Sequence, residues 1–254
     1  MPWPLLFIAF VFGAVLASFM GVVVARYGTG EPIARGRSRC DACNRPLSAL
    51  ALVPILSYAA QRGRARCCGA RIPLAAPVSE ALLGALFALS VATLGPSPAL
   101  LPFLLALLAL YALVAYDLLH QILPPPFLAV FVLFAALAGW LASPSLGAFF
   151  TSLSIAAGIA AFFLVLYFAS RGRWMGFSDA PLAFGLALLV GPLASIPGFI
   201  FTFWIGAVIG IGILLARPAG SRIGIEVPLA PFLAAGFLLA YFTAWNPFPF
   251  PGLF

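Results

Sequence analysis

Eight apolar runs, each close to the length a helix needs to cross a bilayer, govern what this chain can fold into. They cover residues 3–25, 77–94, 99–118, 125–142, 150–170, 179–196, 199–216 and 229–246. A spanning helix takes about 20 apolar residues. In lipid every backbone N–H and C=O must be satisfied within its own segment, so such runs predict helices. Short breaks rich in Gly, Pro and Ser divide them, at residues 95–98, 123–126, 143–147, 171–176, 197–198 and 218–228. Charged residues make up 7% of the 254 and hydrophobic ones 64%. A soluble domain carries about 25% charged residues, so this chain cannot cover a water-facing surface. The expected fold is all-α: a polytopic membrane protein of about eight transmembrane helices with a cytoplasmic loop subdomain. The expected division is 1–95, holding the first helix, a Cys/Arg-rich loop and the second helix, and 96–254, holding the remaining apolar runs.

Arginine placement supports that count. All 13 basic residues are Arg, with no Lys. Nine lie in the long loop: Arg26, Arg35, Arg37, Arg39, Arg45, Arg62, Arg64, Arg66 and Arg71. Arg171 and Arg173 follow the fifth run, and Arg217 and Arg222 the seventh. With eight spans and the N-terminus outside, all these loops share one face. Positive residues stay cytoplasmic, so every Arg agrees. The first run has no basic residue before it and is followed by Arg26, which reads as a retained span. The net charge of +7 does not indicate nucleic acid, because the basic residues are too few and too local; an anionic lipid surface suits them better. Residues 47–60 are apolar enough to lie on the membrane surface or form a short helix.

Six acids remain. Glu31, Asp41 and Glu226 fall in loops. Glu80, Asp117 and Asp179 fall within or at the ends of apolar runs, where a carboxylate is costly and marks function. By the span count all three reach one membrane level, near the cytoplasmic surface. Two carboxylates at one depth can share a proton, since like charges a few Å apart cannot both ionise. One then takes a proton from water while its partner polarises a scissile carbonyl. The plain alternative is that each Asp caps a helix or pairs with an interfacial Arg; Asp179 after Ser178 has the look of a helix start. The one His, His120, has no Ser near it in sequence, so no serine triad is evident.

The motifs around these acids resemble those of the type IV prepilin peptidases. Tyr116-Asp117-Leu118-Leu119-His120-Gln121-Ile122-Leu123-Pro124 resembles their first aspartate motif. Met175-Gly176-Phe177-Ser178-Asp179-Ala180-Pro181-Leu182 resembles their Gly-x-Gly-Asp motif, and Val227-Pro228-Leu229-Ala230-Pro231-Phe232-Leu233 their late Pro-rich stretch. Ser18-Phe19, Cys40-Asp41-Ala42-Cys43, Pro54-Ile55-Leu56-Ser57-Tyr58, Arg62-Gly63-Arg64 and Ser79-Glu80 follow the family's order. The resemblance implies an aspartyl endopeptidase of the inner (cytoplasmic) membrane. It would cleave the short basic leader of type IV pilin or pseudopilin precursors at the cytoplasmic face. It further implies methylation of the new N-terminus from S-adenosylmethionine. Asp117 and Asp179 carry over as catalytic, with Gly176, Ser178 and Glu80 supporting substrate or loop. Four departures stand out: Ser178 for the second Gly, Pro181 for the usual Lys, Pro125 for Asp or Asn, and Gly21 for Asn. They leave an inactive pilus-assembly homologue as one alternative. A proton- or cation-coupled transporter is another, and it predicts carboxylates near the membrane midplane.

All four Cys lie between positions 40 and 68. Paired thiolates suit a tetrahedral zinc ion, so Cys40, Cys43, Cys67 and Cys68 form a candidate structural site. Ala65 breaks the second Cys-x-x-Cys pair and leaves Cys67 and Cys68 adjacent; free cytosolic thiols are the alternative. Gly206 and Gly210 form a small-xxx-small pair, for packing within the chain or between copies, so oligomeric state stays open.

Overall fold

The structure is a computed structural model that describes residues 2–30, 32, 38–216 and 227–247. Glu31, Arg35, Arg37, Arg217, Arg222 and Glu226 lie outside the described residues. Among the described residues there are nine α-helices, one 3-10 turn and no β-strand. They are α1 (Trp3–Arg26), α2 (Leu56–Ala60), α3 (Ala75–Leu94), α4 (Leu100–His120), α5 (Pro125–Ala142), α6 (Leu146–Ser170), α7 (Asp179–Val190), α8 (Pro192–Ala216) and α9 (Ala230–Thr243), with the 3-10 turn at Ala49–Leu52. The chain forms two compact units, Met1–Pro96 and Ser97–Phe254.

In the first unit α1 packs along α3. Paired glycines set their spacing: a Cβ on Gly84 would lie 2.7 Å from the Phe10 carbonyl oxygen, and one on Gly13 2.9 Å from that of Leu83. Small residues at a lipid-embedded interface let backbones approach this closely. Residues 10–13 meet residues 83–87. Both helices are long enough to span and no spanning helix lies between them among the described residues, so they run antiparallel and the loop between them leaves from one end.

In the second unit α7 is the core. Ten of its 12 residues are buried, and it packs against α5, α6, α8 and α9. Helices on the outside are apolar all round. Phe168 on α6 and Val208 and Leu215 on α8 are each about 70% exposed, which suits lipid as their solvent. Buried hydroxyls return to carbonyls one turn back, as Ser90 does to Leu86, Ser152 to Ala148 and Thr202 to Gly198.

Six helices are long and apolar enough to cross a membrane: α1, α3, α4, α5, α6 and α8. The chain is thus an all-α multi-pass membrane protein. The other two apolar helices, α7 with 12 residues and α9 with 14, reach only about 18 and 21 Å at 1.5 Å per residue. The sequence placed the break between the sixth and seventh runs at Pro197–Gly198; the structure places it at Gly191. Gly191 has φ +77, a conformation that side chains disfavour, and the Ser195 hydroxyl donates to the carbonyls of Ala187 and Gly191 across the break. Pro197 sits inside α8 as its sixth residue. Gly198 serves contact rather than a turn, because a Cβ there would fall 2.7 Å from Phe237 Cα on α9.

Candidate active site

Asp117 lies near the C-terminal end of α4, four residues before the left-handed Gln121 (φ +55), whose N–H donates to the Asp117 carbonyl. The tripeptide Pro124–Pro126 then starts α5, with Pro124 as cap and prolines in the first turn, where a missing N–H costs nothing. Pro125, one of the departures from the family pattern, is therefore a helix-start residue.

Asp179 is the first residue of α7. The turn before it is closely held. Ser170, buried at the end of α6, accepts from the Trp174 N–H, and its carbonyl accepts from Arg173 Nε at 3.2 Å. Left-handed Arg171 and Gly172 reverse the chain. Gly176 and Asp179 then bond in both directions: the Gly176 N–H donates to Asp179 Oδ2 at 3.0 Å, and the Asp179 N–H to the Gly176 carbonyl at 3.3 Å. Ser178 has φ −70 and ψ −14. That is ordinary right-handed helical backbone, so Ser in place of Gly costs no strain here. Pro181 is the third residue of α7, again within the turn whose N–H groups lack helical partners.

Both carboxylates are buried, and Asp117 is near enough for its charge to act on Asp179. A third element joins them. The Ala230 N–H, at the start of α9, donates to Asp117 Oδ2 at 3.3 Å. The site thus gathers the C-terminal end of α4 and the N-terminal ends of α7 and α9. Helix N-termini present unpaired N–H groups and partial positive charge, which offsets part of the cost of two buried carboxylates. Beside them in sequence are exposed apolar residues, Leu118, Leu119 and Ile122 after Asp117 and Phe177 before Asp179. The sequence marked the Val227–Leu233 stretch by resemblance but not the Ala230 backbone donor; its place before Pro231 at a helix start was the available sign.

Glu80 belongs to the first unit. Its Oε2 accepts the Ile55 N–H at 2.7 Å. Ile55 has φ +61 and ψ −52, and the Leu56 N–H returns to the Pro54 carbonyl, which makes a strained γ-turn at a β-branched residue. Glu80 holds that turn.

The four Cys meet in the same unit. Two small antiparallel bridges, Arg39 with Pro46 and Arg64 with Arg71, close two matching hairpins. Cys40 follows the first bridge residue and Ala65 the second; Cys43 and Cys68 stand three residues further on. Cys67 brings the fourth thiol that Ala65 lacks. The sulfurs lie within 4.8 Å of one another, with Cys40–Cys68 at 3.8 Å, Cys43–Cys67 at 3.4 Å and Cys67–Cys68 at 3.9 Å. Four sulfurs bound at about 2.3 Å in a tetrahedron stand about 3.8 Å apart. The adjacent pair therefore fits a metal, and the cluster is close enough to bind one. Backbone N–H groups of Ala42 and Cys43 draw the Cys40 thiol down to about 7. Bonds from Cys43 and Cys40 push Cys67 up to about 12.

Residues 11–94 match the family model described as the Bacterial Peptidase A24 N-terminal domain. The Prepilin leader peptidase/N-methyltransferase of Bacillus subtilis (strain 168) is 32% identical over 237 residues, covering 93% of this chain and 94% of that protein. The chain belongs to the prepilin leader peptidase/N-methyltransferase family. Proteins of the same name from Aeromonas hydrophila, 31% identical over 92% of this chain and 89% of that one, and from Myxococcus xanthus (strain DK1622), 35% identical over 84% and 64%, are also similar. No solved structure matches.

Proposed function

We propose that this chain is a membrane aspartyl endopeptidase that removes the leader of type IV prepilin-like precursors at the cytoplasmic face. The observation that carries the reading is that Asp117 and Asp179, 62 positions apart in sequence, are both buried at helix ends and near enough for the charge of one to act on the other. In each carboxylate one oxygen is held by a backbone N–H, and the other oxygen is the one we assign to water and substrate. One carboxylate, ionised, takes a proton from water as the water oxygen attacks the scissile carbonyl carbon. The other, protonated, hydrogen-bonds the carbonyl oxygen as charge develops there. Collapse of the tetrahedral intermediate breaks the C–N bond, and the proton taken from water passes to the leaving amine.

Placement at helix ends, rather than at mid-helix, disfavours the transporter reading. Arg171 and Arg173 leave α6 at the Asp179 end, and positive residues favour the cytoplasmic side. Ser178, Pro181 and Pro125 sit in ordinary helix starts, which weighs against an inactive homologue. We assign the Cys cluster to a structural zinc, held by Cys40, Cys43, Cys67 and Cys68, which would tie the two hairpins together. The methyl-transfer half rests on the relatives' name, with S-adenosylmethionine as the expected donor.

The test is cleavage of a co-expressed prepilin by Asp117→Asn and Asp179→Asn variants that accumulate normally. Each is expected to lose at least about 100-fold in rate, the low end for a lost acid–base group. Parental cleavage in either variant refutes the dyad.

A further inference from the structure

The loop of the first unit carries a feature that peptide cleavage does not use. The 3-10 turn at Ala49–Leu52 and helix α2 enclose a groove of about 330 Å³, lined by Leu50, Val53, Leu56, Ala60, Gln61 and Arg66, with further residues at its edge. Its apolar walls are turned outward: Leu50 is 78% exposed and Leu56 67%. Such side chains at a water-facing surface mark a contact with lipid or protein.

Two observations identify the occupant. The first is position. α1 ends at Arg26 and α3 begins at Ala75, at the same end of an antiparallel pair whose members are both long and apolar enough to span. The segment joining them therefore leaves the bilayer at headgroup level. Glu80, one turn and a half into α3, grips Ile55 at the start of α2, so the groove is tied down next to that membrane end.

The second is charge. Immediately after α2 come Arg62, Arg64 and Arg66, all exposed, and Arg71 follows. Against them the described residues of this unit offer two acids, Asp41 and Glu80, and Glu80 is engaged with Ile55. A prepilin leader is itself basic and would be repelled. An anionic phospholipid satisfies both halves: acyl carbon for the groove, phosphate for the guanidinium groups.

We propose that the segment from Ser48 to Arg66 is an anionic-lipid docking element, in which the groove takes the upper acyl chain of a phospholipid and Arg62, Arg64 and Arg66 bind its phosphate. This stands apart from the catalytic reading and survives its failure. Glu80 and the γ-turn at Ile55 act as positioning residues that fix the groove at the leaflet.

The test is hydrogen–deuterium exchange of the full chain in nanodiscs of phosphatidylcholine alone and of phosphatidylcholine with phosphatidylglycerol. Amides of α2 are expected to exchange more slowly in the anionic discs. An Arg near an anionic surface contributes about fivefold in affinity, so the triple variant Arg62→Gln, Arg64→Gln, Arg66→Gln is expected to abolish the difference while α1 and α3 stay protected. A second variant, Leu50→Ser with Leu56→Ser, is expected to reduce protection in both discs. Equal exchange of the parent in the two discs overturns the proposal. So does protection that the Arg triple leaves intact, or protection gained only on adding a prepilin peptide.

Discussion

At the residue scale, the two aspartates were legible because a carboxylate in an apolar run has few reasons to be there. What holds them was not. The donors to Asp117 and Asp179 are the backbone N–H groups of Ala230 and Gly176, and a backbone donor has no side-chain signature. Departures from the family's motif were also unreadable in sequence, since their cost depends on φ. With Ser178 at φ −70, restoring Gly adds only backbone entropy to the unfolded state. Ser178→Gly is expected to lower stability by about 0.5–1 kcal/mol and to change the cleavage rate by no more than about twofold. A large gain in rate on introducing Gly would show that Ser178 distorts the loop. The cysteines make a further residue-scale prediction. Zinc binds thiolates, whereas Cys67 is pushed up to about 12 and Cys68 is also raised. Near neutral pH both carry protons that zinc must displace, so affinity rises with pH and falls in acid. Calorimetry in buffers of different ionisation enthalpy should report two or more protons released per zinc. Binding without proton release would exclude these thiols as ligands, as would undiminished binding by Cys67→Ala.

At the element scale, the length of the apolar runs located most of the long helices to within a few residues, because Gly, Pro or Ser bounds most of them and each fills a bilayer. It failed at the α7–α8 junction. Pro197 and Gly198 look like a stop, yet Gly191 makes the turn and Ser195 clamps it. The short α7 was read as a full span because a helix buried on all sides by protein is as apolar as one facing lipid. Helix contacts here depend on glycine. A Cβ on Gly236 would stand 2.5 Å from the Thr202 backbone nitrogen, with no flexible side chain to move aside. Gly236→Ala must push α9 off α8, at a cost of about 1–3 kcal/mol. Since α9 carries the Ala230 N–H, the variant is expected to lose thermal stability in detergent and cleavage rate together. Unchanged melting would show that the two helices can separate freely.

At the scale of the whole molecule, arginine placement and the low charge content set the class of fold before any motif was considered. The chemistry was less accessible: it depends on α4, α7 and α9 ending at one place, and no local pattern encodes which helix ends meet. The account stands on Asp117 and Asp179 working as one unit. The most direct measurement is a double-mutant cycle on the cleavage rate of a purified prepilin, using Asp117→Asn, Asp179→Asn and the combined variant. Groups that act together give non-additive losses, so the combined variant should cleave no more slowly than the slower single one. Losses that multiply, with each single variant retaining its own share of activity, would contradict a shared site.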